Sequence, residues 1–210
     1  MYHPAAMVKM RAVRGTVPFS RGVFERPAMW VVAPFAARLP DTGDFPAVTE
    51  LDRVLGPLAG VRFEEARPGP AAEMYDARIV RDGVVPTRAR SWHDLMNALV
   101  WAAFPRAKEA VHAQQARFVE AAVDAASGKQ RNARSPEHDR LAMIDEGGVI
   151  VLEGSGVSAS VLFGHAVYET LALGGAMPRT RAVAVEGSPV GAPRDLVARA
   201  DAGLSKVLRG

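Results

Sequence analysis

His93, Asn97 and Trp101 follow one another at intervals of four residues, which on a helix puts an imidazole, an amide and an indole in one column. Such a column suits the lining of a polar site, with His93 and the adjacent Asp94 as acid–base groups and Asn97 orienting the ring. His165 and Glu169 repeat the i, i+4 spacing, so both side chains leave one helical face. That pair is a feasible half-site for a divalent metal (Mn, Zn or Fe), which His93 would complete as a further ligand. Spacing alone fits a helix-surface hydrogen bond or a core histidine better, because a metalloprotease helix carries two histidines and a glutamate. Asp94 has a competing structural duty in a helical first turn, and Asn97 serves equally as a backbone cap. Asp145 and Glu146 form a carboxylate pair suited to a hard cation or to acid–base work, or simply to a turn. We read Glu146 as a turn residue and keep Asp145 among the catalytic candidates. Arg88, Arg106 and Lys108 are candidate anion contacts, with a solvated face as the alternative.

These residues need elements to hold them. Ser91 is a good N-cap, Asp94 stands three residues on, and Trp92, Leu95, Met96, Leu99 and Ala103 recur at helical spacing. A helix therefore starts at Trp92, with Pro105 breaking or kinking it before helix resumes from Arg106 to about Ala126. Upstream, Trp30–Phe35 reads as a short extended or docking piece. Phe45–Leu55 reads as a helix capped by Asp44 and ended by Gly56-Pro57. Val61–Glu64 and Tyr75–Arg81 read as strands, and Arg67–Pro70 and Ser127–Pro136 as loops. Downstream, Leu141–Asp145 and Val149–Leu152 flank Glu146-Gly147-Gly148 as a hairpin. A helix then runs from about Val157 to Leu173, a strand from Arg181 to Val185 and a terminal helix from Pro193 to Leu208.

The whole reads as α+β: a mostly helical single domain (25–210) with short antiparallel hairpins and an irregular basic N-terminal arm (1–24). At 210 residues and 49% hydrophobic, the chain has enough apolar material for one core. No window approaches a membrane span, and the first twenty residues lack the apolar run of a secretory signal, so the expectation is a cytoplasmic protein. With no cysteine, disulfides, thiolate metal sites and cysteine nucleophiles are excluded. The net charge of +3 is unevenly spread. Residues 1–40 hold six basic side chains against one acidic, and 177–210 six against three, so the middle of the chain is acidic. A phosphate-tracking groove would be basic around its working residues, which disfavours nucleic acid and leaves a small molecule or a protein as partner. Gly154-Ser155-Gly156 lacks the spacing of a nucleophile elbow, and Gly147-Gly148 lacks that of a dinucleotide fingerprint.

Val85-Pro86-Thr87-Arg88, the run from Trp92 to Trp101, and Phe104-Pro105-Arg106-x-Lys108 together resemble a bacterial family known as domain of unknown function 3025. Asp145-Glu146-x-Gly148 and Gly164-His165-Ala166-x-x-Glu169 resemble its later motifs, in the same order. Met96 departs from an expected Phe, and His138-Asp139 from an expected Arg-Asp. The resemblance groups the motifs but implies no activity. The sequence thus supports two expectations: a metal-assisted hydrolase with a His/carboxylate site, or a non-catalytic binding or structural protein whose His, Asp and Asn residues form a buried polar network.

Overall fold

A computed structural model describes residues 17–66, 75–121, 136–154 and 156–210. Residues 1–16 of the expected arm, the Arg67–Pro70 loop and most of the Ser127–Pro136 loop lie outside these. From Val17 the chain is tied to the core: its carbonyl accepts from Trp92 Nε1 (3.1 Å), and Phe19 stacks on the Trp92 ring. Two 3-10 turns, Arg21–Glu25 and Pro27–Met29, bury Val23, Phe24 and Met29. They lead into α1, Ala33–Ala36, so the Trp30–Phe35 piece is helical rather than extended. Pro34 sits in its first turn, where a missing N–H costs nothing.

Helix α2 spans Val48–Ala59 and β1 Arg62–Glu65. Asp44 does not cap α2; it pairs with Arg90 (2.6 Å), and Glu50 instead reaches back to the backbone N–H of Ala47. Pro57 lies inside the last turn, and Gly60 in the left-handed region (φ +70°) ends the helix. Tyr75–Asp82 is a helix, α3, not a strand. Its inward positions Tyr75 and Ile79 satisfy both a two- and a four-residue repeat, and eight residues are too few to separate them. Strand β2, Val84–Thr87, pairs with β1 in parallel.

Next come α4, Trp92–Ala103, and α5, Pro105–Ala121. Every residue of α4 except His93 is buried, so it is the central helix and its apolar face is wider than the expected stripe. Pro105 opens α5 at its first position. The Leu141–Leu152 hairpin is overturned. Pro136–Gly147 is a helix, α6, running straight into β3, Gly148–Gly154. The antiparallel hairpin is β3 with β4, Val157–Leu162, in place of the helix expected to begin there. Helix α7, His165–Leu173, is followed by β5, Arg181–Glu186, which pairs with β3 in parallel, and by α8, Pro193–Arg209. The result is mostly helical α+β, with two small sheets, β1-β2 and β4-β3-β5, against a helical core. Among the described residues no helix is long and apolar enough to cross a membrane.

Candidate functional site

Three helix ends converge beside α4. His93 stands in its first turn, His165 opens α7, and Glu146 lies in the last turn of α6. Glycine makes the approach of α7 to α6 possible. A Cβ on Gly164 would lie 2.5 Å from the Glu146 carbonyl and 2.5 Å from Gly147 Cα, so no other residue fits there without displacing backbone. The Gly164 N–H also donates to the Gly148 carbonyl (2.9 Å), fixing where His165 begins.

The hydrogen bonds determine the ring tautomers. His165 Nδ1 lies 2.9 Å from the Asp145 carbonyl, which can only accept, so Nδ1 carries the proton and Nε2 a lone pair. His93 Nδ1 donates to Glu169 Oε2 at 2.9 Å, which leaves its Nε2 a lone pair in the neutral ring as well. These two Nε2 atoms face each other at 3.1 Å, and Glu146 Oε2 lies 3.4 Å from His165 Nε2. Two lone pairs at that distance repel unless a proton or a cation stands between them. Suitable atoms of His93, Glu146 and His165 all lie within 4.8 Å of one another. With ligand bonds of about 2.05 Å, the 3.1 and 3.4 Å separations to His165 Nε2 would subtend roughly 100–110° at one ion.

Electrostatics sharpen the same picture. The hydrogen bond to Glu169 raises the pKa of His93, while burial pushes that of His165 down to about 3. Burial, and then the neighbouring Asp145, raise that of Glu146. His165 is buried, whereas the His93 and Glu146 side chains are 30% and 46% exposed, so the cluster opens to solvent on one side.

Behind it lies a sealed polar network. The Lys108 side chain is fully buried, and its Nζ donates to Asn97 Oδ1 (2.8 Å) and Asp145 Oδ1 (2.5 Å) above the face of Trp101. Asn97 Nδ2 donates to the Tyr75 hydroxyl (3.2 Å), and His112 Nδ1 pairs with Asp76 Oδ1 (2.8 Å) while its ring stacks on Trp101. Burial opposes the Asp145 charge, but Lys108, His112 and His165 together outweigh it and hold the carboxyl well below the usual range.

The predicted residues therefore divide. His93, His165 and Glu169 meet, with Glu169 on the far nitrogen of His93 rather than in the ligand cluster. Asp145 touches His165 through its backbone carbonyl, and Asn97 serves Lys108 and Tyr75, not His93. Asp94 contacts neither histidine. It accepts the backbone N–H of Arg88 and two guanidinium N–H groups, while its own N–H donates to the Ser91 hydroxyl, the expected cap. Arg88 is thereby held at the head of α4. Lys108 does not face solvent, so it is an internal counter-ion rather than an anion contact. Arg106 is exposed at the start of α5, away from the histidines. Sequence reasoning misses Glu146, which it assigns to a turn, and His112. Lys108, Val111, His112 and Gln115 share helical spacing, a sign that polar groups enter the core there.

Residues 61–159 match the profile of a family described as "Protein of unknown function (DUF3025)", the family that the motifs from Val85 to Lys108 resemble. No curated protein and no solved structure matches the chain.

Proposed function

We propose that the chain binds one divalent transition-metal ion between His93, His165 and Glu146 and acts as a metal-assisted hydrolase. The observation that carries this reading is the pair of Nε2 lone pairs 3.1 Å apart, each fixed by a hydrogen bond on its opposite nitrogen. Metal-binding histidines are oriented in this way, by a carboxylate or carbonyl on the second ring nitrogen. Two imidazoles and a carboxylate suit Zn²⁺, Mn²⁺ or Fe²⁺ and leave a coordination position open on the solvent side. His93, His165 and Glu146 would hold the ion, which would supply Lewis-acid activation of water for hydrolysis. Around it, Glu169 would orient His93, and the Lys108–Asp145 pair would steady the carbonyl that orients His165.

The non-catalytic alternative has its own support. His93 is tuned towards the charged form and His165 towards the neutral one, so a single proton shared between the two rings also satisfies both. Titrating metal-stripped protein with Zn²⁺, Mn²⁺, Fe²⁺ and Mg²⁺ separates the two readings. A site filled at a hundredfold excess over Kd adds about 2.7 kcal/mol, or roughly 5–10 °C in Tm, for a chain of this size. That rise, with about one ion per chain and its loss in Glu146→Gln, supports the metal centre and justifies screening ester and phosphoester substrates. No shift with any ion, together with a less stable His165→Ala variant, leaves the cluster a proton-sharing structural pair.

A further inference from the structure

At the opposite end of α4 from His93, a cleft of about 500 Å³ opens between the Trp30–Arg38 segment, the α4–α5 junction and α8. Ala103 lines it, ten residues beyond His93, which on a helix is about 15 Å away. The cleft is therefore separate from the histidine cluster and shares no residue with it. Its volume falls within the range of small-molecule sites.

Its lining joins two chemistries. Trp30, Phe35 and Val197 form apolar walls, and the exposed Arg38, Arg106 and Arg194 stand at the rim of the same cleft. Among the described residues Arg38 and Arg106 make no ion pair, and Arg194 has only a loose one with Asp195 (3.6 Å). The single lining carboxylate, Asp201, accepts the backbone N–H of Ala107 at its Oδ1 (2.8 Å) and feels the charge of Arg106, so the lining keeps a net positive charge over an aromatic and aliphatic surface.

We propose that this cleft binds an amphipathic organic carboxylate, with an aromatic or branched hydrocarbon body against Trp30, Phe35 and Val197 and its carboxylate met by Arg38, Arg106 and Arg194. The planar guanidinium fork matches a carboxylate bidentately, and an arginine on an aromatic-walled slot selects such a guest over its neutral isostere.

The test titrates the full chain by calorimetry with 2-naphthoate and with 2-naphthylmethanol, which share a ring system and differ in charge. The naphthoate is expected to bind at least about tenfold more tightly than the alcohol. Arg38→Gln and Arg106→Gln should each weaken naphthoate about tenfold and leave affinity for the alcohol unchanged. Equal affinity for the two probes, unchanged naphthoate binding in both variants, or no binding of naphthoate up to about 1 mM overturns the proposal.

Discussion

The two carboxylates beside the histidine pair have different tasks, and their geometry says which is which. Glu146 points its oxygen at the face where both Nε2 atoms converge, whereas Glu169 holds the far side of the His93 ring. If an ion sits in the cluster, Glu146→Gln removes a ligand and should weaken Zn²⁺ binding by more than about 100-fold. Glu169→Gln removes only the orienting acceptor and should cost about 10–100-fold. Competition against a chelating dye measures both, and a larger loss in the Glu169 variant would reverse these roles. The histidines were legible from sequence because imidazole is rare and its helical spacing is easy to see. Glu146 was not. Asp-Glu-Gly-Gly has the composition of a turn, and what makes Glu146 useful is the contact of Gly147 with Gly164, a packing event seventeen residues away in sequence. The two glycine-bearing motifs did carry that signal, since a residue without Cβ marks a close backbone approach.

Among the elements, the α4–α5 junction shows how one helix depends on another. Pro105 opens α5 after Phe104, which has no side chain able to cap, and Asp201 of α8 supplies the missing acceptor through the Ala107 N–H. Burial outweighs that hydrogen bond and pushes the Asp201 carboxyl up to about 6. A carboxyl whose folded pKa exceeds its unfolded value of about 3.9 binds more protons in the native state between those limits. Its charge therefore lowers stability progressively from about pH 4 to pH 6, and the penalty stays constant above that. Asp201→Asn keeps the acceptor and removes the charge. We expect it to be more stable than wild type at pH 8, by an amount on the order of 1 kcal/mol, with the difference vanishing near pH 4. Asp201→Ala loses the cap and should be less stable by about 1 kcal/mol at pH 4, where the charge is absent in both proteins. Urea melts of the three proteins at the two pH values decide it, and an Asn variant weaker than wild type at pH 8 would refute the account. Elements with strong punctuation were readable in this way: Ser91 before α4, Pro105 between α4 and α5, Pro193 at α8. Tyr75–Asp82 and Pro136–Gly147 were not. Their alternating or continuous apolar runs fit either period, and their packing partners, α5 for both with β2 for α3 and α7 for α6, lie mostly beyond any local window.

For the molecule as a whole, the buried polar network is the structural link between the core and the histidine cluster. From α5, Lys108 binds Asn97 on α4 and Asp145 on α6, and His112 binds Asp76 on α3, so four helices meet through groups that few other partners could satisfy. Tyr75, Asp76, Asn97, Lys108, His112 and Asp145 all lie within the matched segment 61–159, whereas His165 and Glu169 follow it. The network therefore belongs to the family segment, and the cluster is completed by the chain beyond it. Breaking a buried ion pair by removing one partner strands a charge, at a cost of about 3–5 kcal/mol, while removing both charges together is far milder. Lys108→Met should accordingly lower the urea midpoint strongly without altering the slope, and Lys108→Met combined with Asp145→Asn should recover most of that loss. The pair also has a definite acid signature. Because Asp145 is held below its ordinary range, its contribution is present above about pH 4 and is lost as pH falls towards its folded pKa. Wild type should therefore lose its advantage over the double variant only in strong acid. The Asp145→Asn substitution leaves in place the backbone carbonyl that orients His165, so the double variant should also keep metal affinity to within about tenfold if the network acts through that carbonyl. A double variant that is stable but binds no metal would instead place the Asp145 carboxylate itself in the site.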